Sequence, residues 1–202
     1  IIGGSEGKYT PDSSSNEINE PVNYKANKIK YHINDYKSDL QGNVILKHDH
    51  TNLEAGFVNI NWKTNMLDAL PILEGDTLSD PILPVIKEQG RDPMTGNEMI
   101  YNLKTRKGRI TQGKTKADDG YYKGNRIRNE SRKVFFIENS IYTTCDQDTA
   151  HFHFESNKMK VIQNNMVVAR PIILHLGQIP ILGIPLGIFP HKGGKRHSGW
   201  IM

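Results

Sequence analysis

The stretch PIILHLGQIPILGIPLGIFP, residues 171 to 190, is nearly as apolar as a membrane span, yet it holds four prolines and three glycines. A spanning helix needs about 20 apolar residues whose backbone hydrogen bonds close internally, and an interior proline removes a donor and collides with the preceding turn. Pro171, Pro180, Pro185 and Pro190 therefore exclude a continuous helix. Ile172-Ile173 and the series Ile179, Ile181, Ile184 suit extended strands that proline interrupts at edges and bends. The segment reads as sheet leading into an interface.

Upstream, polar and apolar residues alternate. In KANKIKYHINDYKSDLQGNVILKHD, Ile29, Tyr31 and Ile33 fall on one face, Asn34 to Ser38 form a polar turn, and Leu40, Val44 and Leu46 resume the pattern around Gly42. The same hairpin signature recurs in FVNINWKTNMLDALPIL, MIYNLKTRKGRITQGKTKA and HFESNKMKVIQNNMVVARP. Four related hairpins predict a stacked antiparallel structure, and the lack of capped 3.6-residue periodicity makes the expected fold mainly β. Between the second and third copies, Pro71, Pro81, Pro84 and Pro93 mark a long loop or insertion over about residues 71–97.

Residues 1–20, rich in Gly, Ser, Asn and Glu, read as a flexible arm, and 21–190 as the folded domain. A chain of 202 residues can bury a proper core, and its low apolar fraction of 36% fits sheets with one solvated face. It starts at Ile1-Ile2 without Met and stops at Trp200-Ile201-Met202 without a polar tail, so it reads as a piece of a longer protein. The absence of a leader is then uninformative.

Residues 91–135 hold 12 Lys/Arg against 5 Asp/Glu, a local excess larger than the whole net charge of +4. Such a stripe suits an anionic partner or a solvated strand face. Arg106, Lys107, Arg109, Lys114, Lys123, Arg126 and Arg128 interleave with Tyr101, Tyr121 and Tyr122, a pattern that could hold single-stranded nucleic acid or phosphorylated lipid.

Catalytic signatures are scarce. No G-x-S-x-G elbow, Walker loop, G-x-G-x-x-G or H-E-x-x-H occurs, and Asp118-Asp119 and Asp146/Asp148 look like turn residues, so no enzyme is expected. His48, Asp49 and His50 read as a polar hairpin turn. His151 and His153 would share a strand face at a spacing that can ligate zinc or copper, but no third ligand is suggested nearby, so neither metal nor cofactor is expected. Cys145 is the single cysteine; beside acidic turn residues it is expected to be exposed.

IYTTC (141–145), IPILGIPLGIFP (179–190) and KRHSGWIM (195–202), in that order and spacing, resemble the periplasmic portion of the outer-membrane lipopolysaccharide-assembly family LptD, also called organic solvent tolerance protein or OstA. The resemblance is specific over 134–202 and looser over 24–133. It implies a taco-like antiparallel OstA-type β-jellyroll on the periplasmic face of the outer membrane of a Gram-negative bacterium. Residues 191–202 would then link to a C-terminal β-barrel that the sequence lacks. The implied partners are lipopolysaccharide, the chain's own barrel, a barrel-plugging lipoprotein of the LptE type, and a bridge jellyroll of the LptA type that joins by strand addition; nucleic acid is not among them. Cys145 would match the position that forms a disulfide to the barrel.

An acyl chain of about a dozen methylenes loses roughly 10 kcal/mol on exposure to water, at about 0.8 per CH₂. A carrier therefore needs a continuous apolar trough. Ile29, Tyr31, Val58, Ile60, Trp62, Ile100, Phe152, Phe154 and Val161 could line one, or they could form an ordinary sandwich core. Pro180, Pro185 and Pro190 would forbid extra strand pairing at the barrel entry, while Gly183 and Gly187 would allow sharp bends. The alternatives are a soluble bridge-type jellyroll that binds lipopolysaccharide and a basic single-strand nucleic-acid binder.

Overall fold

The computed structural model describes residues 5–10, 20–72, 81–117, 120–131, 133–147, 149–163 and 165–190. Among these there is no α-helix, and every registered strand pair is antiparallel. The chain divides into two compact units, Ile1–Gly113 and Lys114–Met202. Each unit is built of antiparallel β-strands, as the alternation predicts.

The first unit holds β1 (Ser5–Tyr9), β2 (Val22–Ala26), β3 (Lys28–His32), β4 (Lys37–His48), β5 (Thr51–Asn61), β6 (Met66–Leu70), β7 (Val85–Glu88), β8 (Met94–Thr95), β9 (Glu98–Asn102) and β10 (Gly108–Ala117), which runs past the boundary. Two of its hairpin turns share one chemistry. Asn61 Oδ1 accepts the N–H groups of Lys63 and Thr64, and Asn102 Oδ1 those of Lys104 and Thr105. Each turn closes on a left-handed residue, Asn65 at φ 57° or Arg106 at φ 59°. The repeated N-x-K-T thus codes a side-chain-closed turn, with Asn mimicking backbone.

Cross-strand register carries the packing. One row runs Tyr31–Ser38–Ile60–Leu67–Tyr101, and the next runs Ile29–Leu40–Val58–Ala69–Met99–Ile110. Partners opposite one another share a face, so these rows form one inner surface. Halfway along β4 and β5 the register slips: Gln41 faces Phe57, but Val44 faces Ala55. Gly42 and Asn43 absorb the extra residue with φ of 75° and 47°. Beyond this bulge the buried set becomes Val44, Leu46 and His48 against Leu53 and Ala55. The neighbouring strands break at the same level, β2 from β3 at Asn27 and β6 from β7 through the proline-rich stretch, so the sheet is creased along one line.

The second unit repeats the device with β11 (Gly120–Ser131), β12 (Val134–Thr143), β13 (Phe152–Ile162), β14 (Met166–Arg170), β15 (Ile172–Leu176), β16 (Ile179–Ile184) and β17 (Gly187–Pro190). Asn125-Arg126, Glu138-Asn139 and Asn157-Lys158 are exposed in consecutive pairs, where strict alternation would expose every second residue. Asn139, at φ 46°, marks the crease. Ser156 secures it: its buried hydroxyl donates to Lys158 O and accepts the Arg170 N–H, both at 3.1 Å.

Three expectations change. Ser5–Tyr9 is a strand that pairs with β2 along its whole length, so this part of the presumed arm is sheet; residues 11–19 lie outside the described residues. The 71–97 insertion contributes β7, which pairs with β5, and β8, together with an Ile72–Ile82 bridge and a fully buried Pro84. Proline there sits between strands and leaves their ladders intact. His48 belongs to a strand and is 3% exposed; the turn is Asp49-His50.

Candidate functional site

In the first unit the inner face is closed. Val58 and Ile60 have no exposed surface, whereas Ile29 is half-buried and Tyr31 is exposed, its hydroxyl 3.3 Å from that of Tyr24. Trp62 closes one end: its Nε1–H donates to Ser38 Oγ at 2.8 Å and its ring stacks on Tyr9 with centroids 4.2 Å apart. Ile100 is misplaced by the sequence reading. It lies in the row Asp68–Ile100–Arg109 on the opposite face, while Met99 and Tyr101 turn inward. Aligning the two N-x-K-T turns would have found this, since Tyr101 then matches Ile60 and Met99 matches Val58.

In the second unit the inner face opens. Beyond the crease on one side, Val161 is buried with Phe135, Ile137, Met159 and Val167. On the other, Phe152 and Phe154 are half-buried and register against Leu176 and Leu174, which face Ile179 and Leu182 on β16. The Phe154 ring lies 6.3 Å from both Tyr142 and Phe189. Leu176, Ile179, Ile181, Leu182, Ile184, Leu186, Ile188 and Phe189 are each 42% to 66% exposed. By register Leu176, Ile179, Leu182, Ile184 and Phe189 share the inner face, whereas Ile188 pairs with Val168 on the other; an exposed apolar surface of this kind marks an interaction site, and the inner one continues the row through Tyr122, Tyr142 and Phe154.

The residues of the presumed barrel-entry link behave differently from expectation. Pro180 lies within β16 opposite His175, and Pro190 ends β17 opposite Met166, so each is paired on one side. Pro185 falls between the two strands. Neither Gly183 nor Gly187 has a positive φ. Gly183 borders open space, whereas a Cβ at Gly187 would collide with Ile172 Cδ1 and come within 3.2 Å of the Phe189 ring. Gly187 is required by close approach, not by a bend. Residues 191–202, including KRHSGWIM, lie outside the described residues.

In each unit basic residues of the stripe meet acidic ones. Arg126 meets Glu138 at 3.0 Å, and Arg106 meets Asp49 at 2.7 Å. Tyr101 and Tyr122 are buried and cannot stack on a base from outside, while Lys116 Nζ sits 5.2 Å above the half-buried Tyr121 ring. Cys145 is a part-buried free thiol whose Sγ lies 3.6 Å from His151 Nδ1.

Histidines gather elsewhere on unit two. His153 and His175 are directly opposite on β13 and β15, their rings stacked at 4.7 Å and 9°, and Glu155 Oε2 is 3.2 Å from His175 Nε2. Burial, and then the neighbouring His175, hold the His153 pKa below its usual value. Sequence reading missed this group because His175 comes from a different strand.

The fold and this surface together define a creased antiparallel β-protein with an open apolar inner face. No family profile matches the sequence, and no curated protein does. Among solved structures the chain is similar to the crystal structure of LptH from Pseudomonas aeruginosa, titled the LptA homologous periplasmic component of the conserved lipopolysaccharide transport device. That alignment has 15% identity and a TM-score of 0.48, covering 72% of this chain and 97% of that one.

Proposed function

We propose that this chain is a lipid-carrying β-domain of the lipopolysaccharide-transport type, a carrier with no catalytic step. The observation that carries the reading is the inner face of the second unit, where Phe152, Phe154, Leu174 and Leu182 lead from buried Tyr122 and half-buried Tyr142 to the exposed side chains of β16 and β17. Acyl chains need continuous apolar surface and no hydrogen bonds, and each methylene covered there is worth about 0.8 kcal/mol. The resemblance of IYTTC and IPILGIPLGIFP supports the finer reading of an LptD-type periplasmic domain at the outer membrane. In that reading residues 191–202 lead to the protein's own barrel with its LptE-type plug, and Cys145 pairs with a barrel cysteine. Strand β3, none of whose residues is buried, accepts an LptA-type bridge jellyroll by strand addition.

The test is site-specific photo-crosslinking to lipopolysaccharide at Phe154 and Leu182, with outward-facing Lys158 as control. Adducts at Phe154 and Leu182 that survive high salt and vanish with deacylated ligand are the expected result. A folded protein giving no adduct at either position, or adducts that salt abolishes, would overturn it.

A further inference from the structure

We propose that His153, His175 and Glu155 form a binding site for one zinc-class divalent cation on the outer face of the second unit. Three features of the fold converge on it. The β13–β15 register sets His153 directly opposite His175, where facing side chains share one surface. Glu155 follows His153 by two residues, so it projects on the same face of β13. As a result, one ligand atom from each residue lies within 4.8 Å of the other two. Ligands around a zinc ion stand closer than this, so the ion would draw the three side chains together.

A stacked histidine pair could instead be filler on a sheet face. One detail separates the two. His175 Nε2 is buried and makes no hydrogen bond, although Glu155 Oε2 is near it. A buried polar atom without a partner is uncommon in native structures and calls for an explanation such as an ion. Two imidazoles and one carboxylate suit zinc, copper or nickel, whereas calcium and magnesium prefer all-oxygen sets. Water would complete the coordination.

The site has a structural consequence. β13 supplies two ligands and β15 the third, so the ion would clip β15, and the β16 strand paired to it, onto the sheet. Metal would therefore stiffen the hairpin that presents the exposed apolar side chains. The inference needs no lipid: metal binding can succeed where lipid crosslinking fails, and the reverse.

The experiment is titration of the full chain with zinc chloride by calorimetry, with cobalt absorption as a report of coordination geometry and backbone hydrogen exchange over 172–184. One site per chain is expected, weakened at least tenfold by His175→Gln and by His153→Gln. Glu155→Gln should weaken it less, while Cys145→Ser and His191→Ala should leave it unchanged. Zinc should slow exchange in 172–184 of the wild type and of the Cys145→Ser and His191→Ala proteins, and should leave exchange unchanged in His175→Gln and His153→Gln. Binding that persists in a folded His175→Gln protein, that disappears in Cys145→Ser or His191→Ala, or that is absent from the wild type would overturn the proposal.

Discussion

Gly56→Ala tests the crease where it is tightest. Gly56 sits in β5 at the level where β4 and β5 slip register, and Ile72 packs directly over it. A Cβ on Gly56 would stand 2.6 Å from both the Cβ and the backbone N of Ile72, and closer still to its Cγ2. Carbon contacts are relaxed at about 3.5–4.0 Å, so the overlap is about 1 Å. Cγ2 can rotate away; the backbone nitrogen cannot, because Ile72 is held in a bridge to Ile82. Overpacking of this kind costs about 1–3 kcal/mol, and a backbone clash belongs at the top of that range. A loss of about 3 kcal/mol is roughly a hundredfold in the folding constant. Urea unfolding followed by Trp62 fluorescence in a Trp200→Phe background reads it directly, since Trp62 lies in the same unit as Gly56. Gly177→Ala is the contrast: nothing lies within 4 Å of its added Cβ, and only its φ of 59° opposes the change. A Gly56→Ala protein within about 0.5 kcal/mol of wild type, the background of neutral surface changes, would refute the tight crease.

Two further outcomes are expected. Ser156→Ala strips Lys158 O and the Arg170 N–H of their partner at the second crease; about 1–3 kcal/mol should be lost in denaturant unfolding, while Ser156→Thr, which keeps the hydroxyl, should lose less. His48, whose pKa is lowered by burial and then by the Arg106 charge, gives a pH signature. Its folded pKa lies below the unfolded value of about 6.5, so the unfolded chain binds the proton first. The stabilising neutral state is complete above pH of about 6.5 and is lost as pH falls toward the folded pKa. His48→Leu should flatten that part of the stability–pH curve, and an unchanged slope would remove His48 as its source.

Alternation made the four hairpins legible, because a half-buried strand must repeat every two residues. The facing of each strand was less accessible, since a crease reverses which parity points inward. On β13, Phe154 and Ser156 face in on one side of the crease, and Met159 and Val161 do so on the other. Nothing in HFHFESNKMKVI announces the change except Asn157-Lys158, two polar residues in succession. Ile100 went wrong because its own apolarity was weighed above its parity: it stands between Glu98 and Asn102 on the outward positions, while Met99, Tyr101 and Leu103 occupy the inward ones. The proline-rich insertion was read as loop because proline was counted as a breaker. In the structure Pro84 sits just before β7, where its missing N–H costs the ladder nothing. The His153–His175 pair depends on β13–β15 register, which local sequence does not encode.

One crease design serves two ends. In the first unit the rows that begin at β3 pass through β4, β5 and β6 to β9, and their central residues lose nearly all contact with water. In the second, the row through Tyr122, Tyr142 and Phe154 ends on β16, whose six residues are all exposed. Whatever covers β16 must match an apolar surface whose backbone has been altered by proline. Pro180 and Pro185 present no N–H to an incoming strand, which weakens the template that an extended apolar segment otherwise offers. A flexible acyl chain needs no such template. Under the proposed lipid-carrying function, the prolines that exclude a membrane helix from residues 171–190 also bias the exposed strand away from protein strands and toward lipid, and the apolar run and its prolines then belong to one functional device.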